Sequence, residues 1–154
     1  MKEEALTNTN IEHFHKRNVS ILVAKLGNVP LTGQTILNEC KKIKGLKFLG
    51  VFMVDQLPPL RAGTFVLNID VSTGKGIHWT AGVIEGKTIY IYDSFGRRAK
   101  NLIQVFRNKV KSKGFRIKNT DLTDSDQYGT TSVDCGHRTI SSLKIYKTYG
   151  LKGY

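Results

Sequence analysis

The chain has 154 residues, enough for one domain with its own hydrophobic core. Hydrophobic residues make up 40% of the sequence, which is ordinary for a globular protein, and charged residues, at 23%, are not depleted. The formal net charge is +12 at pH 7, which predicts contact with an anionic partner. Because the lysines are spread along the chain, we expect non-specific binding to the DNA backbone. A lysine-rich solubilising surface is the plainer alternative.

Other broad classes are excluded by the apolar and polar patterning. No run of about 18 apolar residues occurs, so we expect no membrane partner. The first residues are charged and polar, unlike a secretory signal, and this predicts an intracellular protein whose two cysteines, Cys40 and Cys135, stay reduced. The cysteines and scattered histidines match no metal-ligand spacing, and no glycine-rich phosphate loop is present. We therefore expect the chemistry to need no cofactor.

Hydrophobic periodicity and turn signals predict a single α+β domain with a central mixed or antiparallel sheet flanked by helices. Residues 1–30 are a candidate N-terminal extension with a helix around 11–26, and residues 31–148 are the expected core. A helix capped by Thr32 and closed by Gly45 begins that core. Two strands are expected next, a buried one over 46–54 and another over 63–71, followed by a hairpin of strands 79–84 and 87–92 that turns at Glu85-Gly86. The remaining elements are an amphipathic helix, a strand over 115–118 and a helix over 136–146. The inward residues of the amphipathic helix are expected to be Leu102, Val105, Phe106 and Val110.

Cys135 is the candidate nucleophile. It lies between a polar loop and the last predicted helix, and the N-terminus of a helix stabilises a thiolate through its N–H groups and dipole. Gly136 is expected to let a substrate backbone approach closely. The alternative is a buried, inert cysteine. Cys40, on the apolar face of its helix, fits that alternative better than Cys135 does.

His78 and Asp93 are expected to lie side by side. His78 comes at the head of the first hairpin strand, and Asp93 comes at the end of the second. Since the two strands are antiparallel, the start of one lies beside the end of the other. The alternatives are a surface histidine at a strand end and a turn-initiating aspartate in the run Asp-Ser-Phe-Gly.

These motifs, taken in order, resemble a known family. Gly-Ile-His-Trp at 76–79, Tyr-Asp-Ser-Phe-Gly at 92–96, Gln127 and Asp-Cys-Gly at 134–136 resemble the adenain-like cysteine proteases. These are the adenovirus maturation proteases and their relatives in virophages, Polinton-type elements and large DNA viruses; SUMO-specific proteases are distant members of the clan. The resemblance spans residues 31–148 and implies an adenain-like fold with the nucleophile at a helix N-terminus.

The resemblance also implies roles for individual residues. Cys135 is the implied nucleophile, His78 the base and Asp93 the acid that orients the imidazole. Gln127 is the implied side-chain donor to the oxyanion, and Trp79 packs beside the site. Three features depart from the family, and one is that the chain has no clear equivalent of the non-catalytic cysteine through which the adenovirus enzyme joins its activating peptide. Gln127 lies eight residues before Cys135, slightly more than usual, and the helix after Cys135 is unusually polar.

The function implied is that of a monomeric cysteine endopeptidase, which cleaves viral capsid or core precursors after small residues such as glycine during virion maturation. It would act inside infected cells and virions, with activation by DNA or by a peptide. Two alternatives stay open. One is a deconjugase of the same clan, which releases a ubiquitin-like modifier. The other is a non-enzymatic basic protein that packages DNA.

Overall fold

A computed structural model describes residues 8–69, 78–93, 104–119 and 134–152. Over these ranges a five-stranded mixed sheet is flanked by four α-helices, which confirms the predicted α+β class. None of the helices in these ranges has the length and apolar character needed to cross a membrane. In chain order the elements are α1 (Asn8–Leu26), α2 (Gly33–Lys41), β1 (Phe48–Met53), β2 (Gly63–Asn68), β3 (Trp79–Glu85), β4 (Thr88–Tyr92), α3 (Gln104–Ser112), β5 (Arg116–Asn119), α4 (Cys135–Tyr149) and a 3₁₀ turn (Gly150–Lys152).

The sheet has the strand order β1-β2-β3-β4-β5. β2, β3 and β4 are antiparallel, while the outer strands β1 and β5 run parallel to their neighbours. The hairpin turn lies one residue later than predicted, because Glu85 pairs with Thr88 and leaves Gly86 and Lys87 as the two-residue loop. Gly86 has a φ of +60°, a left-handed conformation that favours glycine there. The hairpin therefore brings the start of β3 and the end of β4 to one end of the sheet.

Both faces of the sheet are covered, and β2 shows the alternation that divides them. Val66 packs with residues of α1, α2 and α4, whereas its neighbours Phe65 and Leu67 pack with residues of α3. Successive side chains of a strand point to opposite faces, so α3 lies on one side and the other three helices lie on the other. The result is a three-layer arrangement.

Two predictions about burial were wrong. The strand predicted as buried over 46–54 is β1, an edge strand whose residues are all half-buried. Val105 was expected to face inward but is 48% exposed. Phe106 and Val110, one helical turn apart, take the inward face of α3, and Val105 lies about 100° away from Phe106 around the helix. Leu102 lies outside the described residues.

The candidate N-terminal extension contributes a helix to the core. Helix α1 begins at Asn8, three residues before the predicted start, and ends at the predicted Leu26. Its buried residues Ile11, His15, Val19 and Leu22 recur at helical spacing, and Leu22 belongs to the same core cluster as residues of α4. Residues 8–26 are therefore packed against the helix that carries Cys135.

Candidate active site

His78 and Asp93 meet at the open end of the hairpin. Ala81 lies opposite Tyr92, so the same register places Asp93 opposite Thr80 and diagonal to His78. Diagonal side chains of an antiparallel pair can reach one another. His78 Nε2 is 2.5 Å from Asp93 Oδ1, and His78 is only 1% exposed. The predicted juxtaposition of the two side chains is confirmed.

The backbone of His78 is held by the neighbouring strand. Its carbonyl accepts a hydrogen bond of 3.0 Å from Ile69 N–H, just beyond the end of β2. The next residue, Trp79, pairs with Asn68 of β2. The backbone of His78 is therefore fixed by the sheet, while its imidazole is held by Asp93.

Cys135 is the first residue of α4, and its free thiol is half-buried. Hydrogen bonding and charge interaction between Cys135 and His78 both favour the protonated imidazole. Asp93 contacts Nε2, and Nδ1, the other ring nitrogen of His78, is buried. His78 therefore contacts Asp93 directly and also interacts with Cys135, which are the two interactions that a base between an orienting acid and a nucleophile would need.

His78 is held in its charged form. Burial disfavours the imidazolium and lowers its pKa, but hydrogen bonds to Asp93 and Cys135, with the charges of both groups, outweigh burial and raise the pKa of His78 to about 9. An ordinary histidine has a pKa of about 6.5. At neutral pH the ring therefore carries a positive charge, and Cys135 is one of the two groups that favour it.

The N-terminus of α4 keeps its dipole directed at Cys135. The Asp134 side chain makes no capping hydrogen bond, and the first turn of the helix contains no acidic residue. The Asp134 carboxylate instead accepts a hydrogen bond of 2.9 Å from Arg138 Nε. Its negative charge is therefore countered by Arg138, and the N–H groups of the first turn are not capped by this side chain.

Trp79 and Gly136 both contact Leu31. Trp79 is half-buried and its indole N–H donates to the Leu31 carbonyl at 2.9 Å. The prediction for Gly136 was wrong. A Cβ on Gly136 would lie 3.1 Å from Leu31 Cβ and Cδ1, so the missing side chain makes room for Leu31 rather than for a substrate.

The polar side chains of α4 are explained by hydrogen bonds, three of them to distant parts of the chain and one within the helix. His137, Thr139, Ser141 and Ser142 are all fully buried. Their partners are the Gly27 carbonyl for His137 (2.8 Å), the Trp79 carbonyl for Thr139 (3.1 Å), His15 Nδ1 for Ser141 (2.8 Å) and the Thr139 carbonyl for Ser142 (2.6 Å). Sequence reasoning missed these roles, because no local signal pairs a helix at the end of the chain with residues near its beginning.

The remaining candidates separate clearly from the site. Cys40 is fully buried in the core, and burial raises the pKa of its thiol to about 12, as expected of an inert cysteine. His13 is exposed on α1 and His15 is buried, so the two side chains point in different directions. No group of three or more potential metal ligands occurs in the part of the chain that the structure describes. Gln127 lies outside the described residues, and its role stays a prediction.

The sequence matches no protein-family model and no curated protein.

Proposed function

We propose that the protein is a cysteine endopeptidase of the adenain-like type. One observation carries the proposal: His78 contacts Asp93 through Nε2 and interacts with Cys135, which begins a helix. A thiolate needs a positive neighbour, and the imidazole needs a partner that holds its orientation. The interactions of His78 with Asp93 and Cys135 support both requirements. The resemblance of the flanking motifs supports the same interpretation, including the adenain-like fold.

The acylation step follows from the charge state of His78. The Cys135 thiolate attacks the scissile carbonyl carbon, a C–S bond forms, and the carbonyl oxygen becomes an oxyanion. The Cys135 N–H is the proposed backbone donor to that oxyanion, with Gln127 as the predicted side-chain donor. When the tetrahedral intermediate collapses, the C–N bond breaks and His78 donates its proton to the leaving amine.

Deacylation reverses the role of the imidazole. Neutral His78 now accepts a proton from water, whose oxygen attacks the thioester carbonyl and releases the acid with the restored thiolate. Asp93 stabilises the imidazolium and fixes the ring orientation in both steps. Since the pKa of His78 is about 9, the free enzyme enters the cycle with the proton already on the ring, so base catalysis by His78 belongs to the second step.

The resemblance suggests the substrate class. Adenain-like enzymes cleave after small residues such as glycine, so viral capsid or core precursors are the proposed substrates and virion maturation the proposed process. A deconjugase would share the same three residues. A non-enzymatic packaging protein would not need a charged histidine held against a cysteine, which makes this alternative the weakest.

Cleavage of a mixture of short peptides containing Gly-Gly-X and Gly-X sites tests the proposal, with products identified by mass spectrometry. We expect cleavage after glycine that disappears in Cys135→Ala and persists in the matched control Cys40→Ala. A fluorogenic ubiquitin-like modifier is offered in parallel. Faster release from the modifier than from any peptide would favour the deconjugase, and no turnover of either, with the thiol intact, would contradict the proposal.

DNA is the proposed non-specific partner, and this part of the proposal rests only on the positive charge of the protein. The exposed lysines include Lys42, Lys44 and Lys47 after α2 and Lys111 and Lys113 at the end of α3. In the peptide assay we expect double-stranded DNA to change the cleavage rate at low salt, with the effect lost at high salt. If DNA does not change the cleavage rate at low salt, DNA is not a functional partner, and the proposed peptidase activity is unaffected.

A further inference from the structure

Residues 27–31, which we call the strap, connect α1 to the N-cap of α2 and touch both halves of the candidate site. The Gly27 carbonyl accepts a hydrogen bond of 2.8 Å from His137 Nε2, on the helix that carries Cys135. The Leu31 carbonyl accepts one of 2.9 Å from Trp79 Nε1, on the strand that follows His78. The strap therefore joins the segment of the nucleophile to the segment of the base.

Gly27 ends α1 in a backbone conformation that favours glycine. Its φ of +91° is a left-handed conformation that favours glycine, and its N–H donates to the Val23 carbonyl at 2.8 Å. This bond closes the last turn of α1. The chain then reverses, and the Gly27 carbonyl is presented to His137 instead of continuing the helix.

His137 is a buried hydrogen-bond donor. It is 0% exposed, and a carbonyl oxygen can only accept, so Nε2 must carry the hydrogen that bonds to Gly27. His137 lies two residues after Cys135, in the first turn of α4. A hydrogen bond at this position restrains the direction and depth of the turn that presents the thiol.

The strap also supports the first turn of α4 by direct packing. The missing side chain of Gly136 lets the helix rest against Leu31, since a Cβ there would lie only 3.1 Å from Leu31 Cβ. On the other side, Thr139 Oγ1 donates to the Trp79 carbonyl at 3.1 Å. These contacts close a ring that runs from β3 through Trp79, the strap and His137 back to α4.

We propose that His137 is a positioning residue that acts through Gly27, holding the first turn of α4 so that Cys135 stays against His78. The inference rests on the proposed function for its purpose, but the arrangement that it describes can be measured without any substrate. A shift of about 1 Å in a reacting group can lower a rate by about 10²-fold, so a single buried hydrogen bond is sufficient to matter.

Two variants of His137 distinguish the effect of its hydrogen bond from the effect of its side-chain volume. His137→Leu keeps an apolar side chain of similar size but removes the donor, whereas the amide nitrogen of His137→Gln can take over the Nε2–H bond to Gly27. We expect the leucine variant to alkylate at Cys135 about 10- to 100-fold more slowly than the wild type near neutral pH. The glutamine variant should stay within about 3-fold of the wild type.

The titration of the His78 ring, followed by NMR, is the readout that a purely structural role would not move. Contact with Cys135 helps to keep His78 protonated, so loss of that contact in His137→Leu should lower the pH at which His78 titrates. The proposal would be overturned if His137→Leu kept both the wild-type alkylation rate of Cys135 and the wild-type titration of His78. That variant must be folded, which is checked by Cys40 staying protected from alkylation. Rescue by glutamine alone supports it.

If His137→Leu does not fold, Trp79→Phe tests whether the strap holds Cys135 in place, by removing the hydrogen bond at its other end. Phenylalanine keeps an aromatic ring but cannot donate to the Leu31 carbonyl, and we expect the same slower alkylation and lower His78 titration; wild-type values for both would overturn the proposal. A wild-type protein with a reactive Cys135 but no peptide cleavage would contradict the proposed function and leave the role of His137 standing.

Discussion

Replacing His78 with alanine is expected to lower kcat/KM for a glycine-containing peptide by about 10⁴-fold or more. In the proposed mechanism the substitution removes the positive charge that stabilises the Cys135 thiolate and the proton that the leaving amine requires. Both losses act on the transition state of acylation. The measurement is the cleavage rate at neutral pH with substrate well below KM, where kcat/KM is read directly.

The matched control for this variant is His13→Ala. His13 is exposed on α1, away from the hairpin, so its removal should leave kcat/KM within about 2-fold of the wild type. A His78→Ala enzyme that keeps a tenth or more of the wild-type rate would show that His78 is not the acid and base of the reaction. Circular dichroism spectra of both variants confirm that any loss is not unfolding.

Replacing Asp93 with asparagine is expected to lower kcat/KM by about 10²- to 10⁴-fold at mildly alkaline pH. Burial opposes the charge on His78, and the contact with Asp93 is the largest of the interactions that overcome it. Without the carboxylate, the pKa of His78 should fall from about 9 towards or below its ordinary value of about 6.5. His78 would then be neutral over most of the range in which the wild type is active.

Two measurements check the Asp93 variant, the pH dependence of kcat/KM and the NMR titration of the His78 ring. The wild type should lose activity as pH rises through about 9, and Asp93→Asn should lose it at distinctly lower pH. Asp93→Glu keeps the charge and is the matched control, expected to retain most of the His78 protonation. An asparagine variant with an unchanged alkaline limb would contradict the role of Asp93.

The same contact makes the stability of the fold depend on pH, with a sign that follows from the direction of the shift. Because the pKa of His78 is raised on folding, its stabilisation is fully present below about pH 6.5 and is lost as pH rises through about 9. The full effect is about 3 kcal/mol. The free energy of unfolding should therefore fall more across this window in the wild type than in Asp93→Asn.

The local parts of the site could be predicted from the sequence. Antiparallel pairing of two adjacent strands follows from their alternation and the glycine turn, and that pairing alone brings His78 to Asp93. The start of a helix at Cys135 follows from the change from polar loop to periodic sequence. Only short-range rules were needed for both, and a one-residue error in the turn did not disturb them.

The long-range parts could not be predicted. Nothing near His137 indicates that its partner is the carbonyl of Gly27, and the polar face of α4 is explained only once α1 packs against it. Val105 and Phe106 are adjacent apolar residues, and only the packed sheet decides which of them is buried. Tertiary contacts therefore determined the roles that local periodicity left open.

The most direct test of the account is the rate of iodoacetamide alkylation at Cys135 and Cys40 as a function of pH, resolved by mass spectrometry. The account predicts that Cys135 reacts rapidly even near pH 6, where ordinary thiols with a pKa of about 8.5 are almost fully protonated, and that His78→Ala abolishes this advantage. Cys40, buried in the core, should stay unreactive in the folded protein. The central claim is wrong if Cys135 reacts no faster than a simple thiol at any pH, or if His78→Ala leaves its alkylation rate unchanged. In either case the proposed nucleophile is not activated.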